Sequence, residues 1–200
     1  MIKKYTTGSF LTNSYVISNN EGECVVVDPG LGFENAAKEI LNNFKVKAIL
    51  ITHGHMDHID GIRFFDVPIY IHKDEVEFLY DSSLSLYKMF NKQTPYTKGM
   101  LDLRVVDDLD EFSLIGYNFK VLHTPGHTRG SVCYSYSTKV LTGDTLFCGS
   151  CGRTDFPTGD SLSIKKSLNR IINTYPENYD VYPGHDEKTT IKREKNNPFL

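Results

Sequence analysis

The stretch Thr52-His53-Gly54-His55-Met56-Asp57-His58 follows directly on an apolar run at residues 47–51, and together they decide the fold prediction. Such a run is typical of a buried strand that ends at the histidines. Alternate residues of an extended segment point the same way, so His53 and His55 can hold one metal ion. Asp57 and His58 come where the chain turns and can face a second ion. Because four ligand-type side chains within six residues would be costly to bury without a metal, we predict a metal centre here.

Three further candidate ligands, His127, Asp144 and His185, each come just after a predicted strand in the second half of the chain. A rigid sheet can aim side chains that lie at its strand ends. A carboxylate has two oxygens, so Asp144 can bridge two ions. Two ions roughly 3.5–4 Å apart can share one hydroxide and polarise a carbonyl or phosphoryl oxygen. Nitrogen and carboxylate ligands suit two divalent ions, with zinc expected and iron or manganese as alternatives.

Two other polar residues near these positions each have two interpretations. Asp28, in the turn Asp28-Pro29-Gly30, can hold a ligand histidine from behind or serve as a plain turn residue. His123 lies within or at the end of a predicted strand. We interpret it as a histidine packed in the core or as one that supports the ligand side chains from behind.

The remaining pattern consists of many short strands and a few amphipathic helices. Apolar residues at helical spacing predict one helix over Phe33, Ala36, Ala37, Ile40, Leu41 and Phe44, and another over Ile164, Leu168, Ile171 and Ile172 that is capped by Asp160 or Ser161. Residues 73–80 and 84–90 are also predicted helical, residues 91–102 a loop, and residues 187–196 a solvated helix or strap. Predicted strands cover residues 10–18, 24–27, 68–71, 112–115, 119–122, 132–136, 140–142 and 179–182. This order favours packed sheets that are covered by helices.

Composition narrows the class of protein. A chain of 200 residues with 40% hydrophobic and 24% charged residues fits one globular domain, residues 1–200. The net charge of -3 argues against a nucleic-acid partner and a nuclease role. No apolar run is long enough for a membrane span, and the N-terminal residues lack the apolar core of a secretion signal. The chain also has only four cysteines, too few for a disulfide scaffold, so we expect a cytoplasmic protein.

The ordered set His53-x-His55-x-Asp57-His58, His127, Asp144 and His185 resembles the metallo-β-lactamase superfamily over nearly the whole chain. The resemblance implies an α/β fold, a four-layer αββα sandwich with the metals at the edge between its sheets. It also implies a division of ligands and a metal-bridging hydroxide as nucleophile, which Asp57 helps to orient. The first ion would be held by His53, His55 and His127, the second by Asp57, His58 and His185, with Asp144 bridging.

Within that superfamily the chain is similar to short bacterial relatives of glyoxalase II, the hydroxyacylglutathione hydrolases. The similarity lies in Thr142-Gly143-Asp144-Thr145-Leu146-Phe147 and in Ser150-Cys151-Gly152-Arg153. It implies hydrolysis of a small-molecule thioester such as S-D-lactoylglutathione, with Arg153 contacting the thiol carrier. Longer glyoxalase II enzymes have an extra C-terminal helical domain at the glutathione site. We expect this chain to have no room for that domain, so a thiol carrier other than glutathione is an alternative.

Three alternative activities compete with the thioesterase. Gly152-Arg153-Thr154-Asp155-Phe156 also resembles persulfide dioxygenases, which would use one iron on His53, His127 and Asp144. Cys148-Gly149-Ser150-Cys151 could form a redox pair, although it lacks the surroundings of a thioredoxin-like site. A β-lactamase proper is disfavoured because those enzymes are exported.

Overall fold

Two six-stranded sheets form the centre of the computed structural model, which describes residues 1–200. Strands β1–β3 of the first sheet pair antiparallel and β3–β6 pair parallel. They are β1 (Ile2–Thr7), β2 (Thr12–Ser18), β3 (Glu23–Val27), β4 (Lys45–Leu50), β5 (Ile69–His72) and β6 (Leu103–Val106).

The second sheet is antiparallel except where β10 and β13 pair in parallel. Its strand order is β14-β13-β10-β9-β8-β7. The strands are β7 (Glu111–Leu114), β8 (Tyr117–His123), β9 (Val132–Tyr136), β10 (Lys139–Gly143), β13 (Asp180–Pro183) and β14 (Thr189–Thr190). A separate small hairpin consists of β11 (Leu146–Phe147) and β12 (Ser150–Cys151).

The helices lie outside the sheets or at their ends. They are α1 (Glu34–Asn43), α2 (Met56–Ile59), α3 (Ser161–Thr174) and α4 (Ile191–Glu194), with 3₁₀ segments at Asp60–Phe64, Lys73–Leu79 and Tyr87–Phe90. Helix α3 begins as the sequence predicts, because the Asp160 side chain accepts a hydrogen bond of 2.6 Å from the Ser163 amide. No helix of the structure combines the length and the apolar character that crossing a bilayer requires.

Alternation along the strands builds three apolar cores, one that the inner faces of the two sheets share and one on the outer face of each sheet. Tyr15 and Ile17 of β2 point inward and pack against second-sheet residues such as Phe119 and Tyr134. Val16, between them, points outward into a cluster with α1. On the far side, the outer face of the second sheet packs against α3 through Ile164, Leu168 and Ile171. The layers therefore run helix, sheet, sheet, helix, and the expected αββα sandwich is confirmed.

Backbone hydrogen bonds join the two sheets at the edge where the candidate ligands lie. The Val132 amide donates to the Thr52 carbonyl at 2.9 Å, and the Asn13 amide donates to the Gly184 carbonyl at 2.7 Å. The Tyr15 hydroxyl adds a 2.7 Å bond to the Pro183 carbonyl. Thr52 and Gly184 each precede a candidate ligand in sequence, so these bonds set the distance between ligands from different sheets.

Several predicted elements differ from the structure. Residues 84–90 do not form one helix: only Tyr87–Phe90 makes a 3₁₀ turn, because Leu86 and Asn91 adopt left-handed backbone angles at its ends. Leu41 is 52% exposed, so the buried face of α1 is narrower than its apolar spacing predicted. The prediction of a solvated helix or strap at 187–196 holds in part, because Lys188, Lys192 and Lys195 are exposed, whereas Ile191 and Glu194 are buried.

Glu194 holds the segment 187–196 against the rest of the protein. Its carboxylate accepts hydrogen bonds from the Gly149 amide at 2.9 Å and from the Thr189 hydroxyl at 2.6 Å.

Five strands were not predicted from the sequence: β1, β6, β11, β12 and β14. All of them are sheet-edge or hairpin strands, whose formation depends on the partner strand more than on their own residues.

Candidate metal centre

The predicted ligands come together at one edge of the sandwich. His53, His55, Asp57 and His58 follow β4 of the first sheet. The others follow β8, β10 and β13 of the second sheet: His127, Asp144 and His185. Both sheets therefore supply side chains to one site, and the expectation that strand ends aim the ligands agrees with their placement.

Three histidines form one half of the site. The rings of His53, His55 and His127 lie with their centroids 4.7–4.9 Å apart and nearly perpendicular to one another. Nδ1 of His55 lies 2.9 Å from Nε2 of His127. All three are buried, and one ligand atom from each falls within 4.8 Å of the others. This spacing allows the three nitrogens to bind one ion.

The other half contains Asp57, His58 and His185, whose ligand atoms also lie within 4.8 Å of one another. Nε2 of His185 lies 3.4 Å from Oδ2 of Asp57. Asp144 lies between the two halves. Its Oδ1 is 3.3 Å from Nε2 of His58, and its Oδ2 is 3.6 Å from Nε2 of His127. A carboxylate in that position can contact ions in both halves.

Unsatisfied polar atoms provide a test of whether the site fits a metal. Nε2 of His53, Nε2 of His55, Nε2 of His58 and Oδ1 of Asp144 are buried without a hydrogen-bond partner. Leaving such atoms unpaired costs on the order of 1–3 kcal/mol each. Their convergence on one site is expected when cations complete their coordination, so the residues fit divalent ions.

The protonation preferences of the ligands differ between the two halves of the site. Burial lowers the pKa of His53 and of His127, and lowers that of His55 to about 3, so these rings stay neutral at neutral pH. Burial opposes ionisation of Asp57, but the charge of His58 and the hydrogen bond from His185 outweigh it and lower the pKa of Asp57 to about 2. Burial opposes protonation of His58 and His185, but the Asp144 and Asp57 carboxylates outweigh it; they raise the pKa of His58 and raise that of His185 to about 10, so a cation bound in that half must displace protons. Neutral imidazoles and ionised carboxylates are the forms that bind metals.

Asp28 lies directly behind this centre. Its carboxylate accepts hydrogen bonds from the Thr52 amide at 2.8 Å and from the Thr52 hydroxyl at 2.6 Å, and Oδ2 lies 3.0 Å from Nδ1 of His58. From this position it can hold the His58 ring so that Nε2 faces the site. Asp28 is also a turn residue with a φ of 49°, so the structure combines both of its predicted interpretations.

Two supporting residues were missed in the sequence. The Thr12 hydroxyl donates a 2.8 Å hydrogen bond to Oδ2 of Asp57. Glu75 is fully buried and accepts hydrogen bonds from the Gly54 amide at 2.6 Å, the Thr128 hydroxyl at 2.7 Å and the Gly130 amide at 2.8 Å. It therefore ties the His53–His55 loop to the loop that follows His127. Neither residue stands in a motif, so only the tertiary contacts could reveal it.

His123 and the two cysteines belong to neither ligand set of this centre. His123 stacks on the buried ring of His72 at 4.3 Å, so it is a packing residue. Cys148 and Cys151 are free thiols on the β11–β12 hairpin. Partial burial raises the pKa of Cys151, which disfavours the reactive thiolate.

A cavity of about 490 Å³ opens onto the centre, and Arg153 lies in its wall. The backbone carbonyl of Arg153 lies 2.8 Å from Nδ1 of His127 and fixes the orientation of that ring. Its guanidinium group forms two hydrogen bonds to Asp155, at 2.6 Å and 2.5 Å. Arg153, the residue expected to contact the thiol carrier, thus lines the cavity, but its guanidinium group is already paired with the Asp155 carboxylate.

Comparisons with known proteins show similarity over nearly the whole length of the chain. The chain is 33% identical to hydroxyacylglutathione hydrolase GloC of Haemophilus influenzae, over 96% of this chain and 94% of that protein. It is similar to the crystal structure of BLEG-1 B3 metallo-beta-lactamase, with a TM-score of 0.91, 34% identity and coverage of 100% and 99% of the two chains. It is also similar to TTHA1623 in a di-iron-bound form, with a TM-score of 0.82, 32% identity and coverage of 99% and 100%.

A family model matches residues 7–185, which include every candidate ligand. The match covers far more than half of the chain, and the similar solved structures share its fold. The chain belongs to the metallo-beta-lactamase superfamily.

Proposed function

We propose that the chain is a metal-dependent hydrolase that uses two divalent ions to cleave small-molecule thioesters. The observation that carries the proposal is the pair of complete ligand sets that share Asp144, with unsatisfied atoms facing the site. The similarity to hydroxyacylglutathione hydrolase GloC supports a thioester as the substrate class. The cavity of about 490 Å³ has the size of a small-molecule site.

In this proposal His53, His55 and His127 would hold one ion, and Asp57, His58 and His185 the other, with Asp144 in contact with both. When bound, divalent ions lower the pKa of a water and polarise a carbonyl oxygen. Zinc is the expected metal, and iron is the alternative that the di-iron form of TTHA1623 suggests.

The chain's own residues would orient the reacting groups. Oδ2 of Asp57 is held by the Thr12 hydroxyl and lies 3.4 Å from His185. The other oxygen of Asp57 would accept a hydrogen bond from the attacking water and orient it. As the acyl carbon bonds to that water oxygen, the C–S bond breaks, and a proton of the water passes to the leaving thiolate. Phe147 and Phe156 pack against ligand histidines and exclude bulk water.

Two other activities compete with this proposal. A persulfide dioxygenase would use one iron on His53, His127 and Asp144 and would leave Asp57, His58 and His185 without a role, which favours the dinuclear hydrolase. Because BLEG-1 is a B3 metallo-beta-lactamase, a β-lactam belongs among the substrates to be measured.

Metal content and thioester hydrolysis on the same purified sample test the proposal. We expect about two ions per chain by mass spectrometry and turnover of a panel that includes S-D-lactoylglutathione and S-D-lactoyl-N-acetylcysteamine. Asp144→Ala and His55→Ala should each lose at least one ion and nearly all hydrolysis. Leu41→Ala, at an exposed position outside the site, should keep its metal content and its rate of hydrolysis.

Three results would contradict the proposal. Metal-loaded protein that hydrolyses no thioester excludes the activity. One iron per chain, with oxygen uptake on a persulfide, supports the dioxygenase. Full metal content and rate in Asp144→Ala would reject the site.

A further inference from the structure

We propose that the preferred thioesters carry an extended, apolar and uncharged arm, and that the anionic peptide thiol glutathione is a poorer carrier. This inference rests on the proposed hydrolysis of thioesters and specifies which substrates that site takes. Two independent observations support it: the apolar rim of the cavity, and the pairing of its one cationic side chain.

The cavity changes from polar to apolar as it leaves the metal centre. Its floor contains His55, Asp57, Asp144 and His185. Its walls and mouth are formed by apolar side chains from four separate segments: Phe10, Leu86, Met89, Phe90, Phe147 and Phe156. Since the apolar wall is continuous with the ligands, a substrate whose carbonyl lies at the centre must extend along it.

Two aromatic rings at the mouth remain exposed. Phe10 and Phe90 are 39% and 46% exposed, and their rings meet edge to face at 5.4 Å. Met89, beside them, is 62% exposed. Neighbouring exposed apolar side chains at the rim of a pocket indicate a surface that a ligand covers. The occupant to which we commit is the apolar arm of the thioester.

The turn that carries Met89 and Phe90 is held over the mouth. Its flanking residues Leu86 and Asn91 have positive φ angles of 67° and 53°. Asparagine tolerates this left-handed region, but for Leu86 it is unfavourable and persists where the surroundings impose it. Here the hydroxyl of Tyr87, which is buried at the start of the turn, donates a 2.8 Å hydrogen bond to Asp60. The rim is therefore built into the fold.

Charge in the cavity argues against an anionic carrier. Among the residues that line the cavity, Arg153 is the only lysine or arginine, and Asp186 adds a carboxylate. Arg153 binds Asp155 through Nε and Nη2, and the guanidinium group lies 4.1 Å from the ring centre of Phe156. Glutathione has two carboxylates and one ammonium group, so its thioesters are anionic. A glutathione carboxylate that reaches Arg153 would have to share the guanidinium group with the neighbouring Asp155 carboxylate, which already binds Nε and Nη2.

Two substrate comparisons at fixed metal loading test the inference. In the first, the acyl group stays D-lactoyl and the thiol is either uncharged N-acetylcysteamine or glutathione; we expect kcat/KM at least tenfold higher for the uncharged thiol. In the second, the thiol stays N-acetylcysteamine and the acyl chain lengthens from acetyl to octanoyl. We expect kcat/KM to rise about two- to fourfold per methylene, as burial of each group on an apolar wall predicts.

Variants then locate the effect. Phe10→Ala and Phe90→Ala should flatten the dependence on chain length, whereas Leu41→Ala, an equally exposed apolar residue on α1, should preserve it. Asp155→Asn releases Arg153 and should raise the ratio of glutathione to N-acetylcysteamine ester hydrolysis several-fold. Arg153→Ala should not raise that ratio.

The outcomes separate this inference from the proposed function. A glutathione ester that is hydrolysed as well as or better than its uncharged counterpart, or a flat or falling chain-length series, overturns the inference and leaves thioester hydrolysis standing. If metal-loaded protein hydrolyses neither thiol ester, the proposed function fails and the inference fails with it.

Discussion

Glu75 accepts a hydrogen bond of 2.6 Å from the backbone amide of Gly54, the residue between ligand candidates His53 and His55. The same carboxylate holds Thr128 and Gly130 in the loop after His127. One side chain outside every ligand motif therefore fixes the relative position of two loops that supply three ligands.

Replacing Glu75 should loosen the metal centre without removing a ligand. Glutamine offers one acceptor oxygen where the carboxylate uses two, so Glu75→Gln leaves at least one buried donor unpaired. We expect a loss of about 2 kcal/mol in the free energy of unfolding and about tenfold weaker metal binding. Urea unfolding and competition with a chelator measure the two effects. Glu77→Gln, two residues along and exposed, is the matched control. A folded Glu75→Gln variant with unchanged metal affinity would refute this positioning role.

Asp28 should affect the half of the centre that contains His58. Asp28→Asn keeps the size of the side chain, but it loses one of the acceptor oxygens that bind Thr52 and the Nδ1 side of His58. We expect metal affinity at the Asp57–His58–His185 set to fall about 10–100-fold. Stepwise metal titration measures it, with the exposed Asp66→Asn as control. Equal weakening of both ion sites, or none, would argue against the contact with His58 as the cause.

Gly184 is required by close packing beside the ligands. A Cβ atom at this position would lie 2.1 Å from Oδ1 of Asp144 and 2.8 Å from Cε1 of His58. Gly184→Ala should therefore displace Asp144 and remove one or both ions. Gly99→Ala provides the contrast: its Cβ meets no atom within 4 Å, although its φ of 84° carries some strain. We expect metal loss by mass spectrometry in the first variant only; two ions retained in Gly184→Ala would contradict the packing argument.

His72 should make stability fall in mildly acidic solution. Burial and then the charge of His123 lower the pKa of His72, and they outweigh the carboxylates of Asp74 and Asp107 that face it. The folded state thus binds fewer protons than the unfolded state, in which the pKa is about 6.5. Stability is therefore full above that value and decreases as the pH falls below it.

The test compares the wild-type protein with His72→Asn, in which the amide oxygen can still accept the hydrogen bond from the Asp74 amide. The difference in unfolding free energy between the two should shift against the wild type from pH 7 to pH 5. Comparing two metal-loaded proteins cancels the pH dependence of metal binding. A difference that stays constant, or shifts in favour of the wild type, would show that His72 does not titrate as its burial indicates.

The sequence by itself determined the architecture and the candidate ligands. The apolar strand that ends in His53-x-His55-x-Asp57-His58, and the single residues His127, Asp144 and His185 after later strands, depend on local patterns. Strand period and turn residues act over a few neighbours, so a linear chain records them directly. Helix α3 and its Asp160 cap could be predicted for the same reason.

Only the tertiary structure decided what surrounds the ligands. Thr12, Glu75 and the Phe10–Phe90 pair reach the site from distant segments, and no periodic pattern marks them. The Tyr87–Phe90 turn depends on left-handed neighbours that tertiary contacts impose. Arg153, predicted to contact the thiol carrier, lines the cavity, and its partner there is Asp155. Backbone geometry and packing select between such contacts, because the energies of buried hydrogen bonds and apolar surface depend on which segments meet in the folded chain.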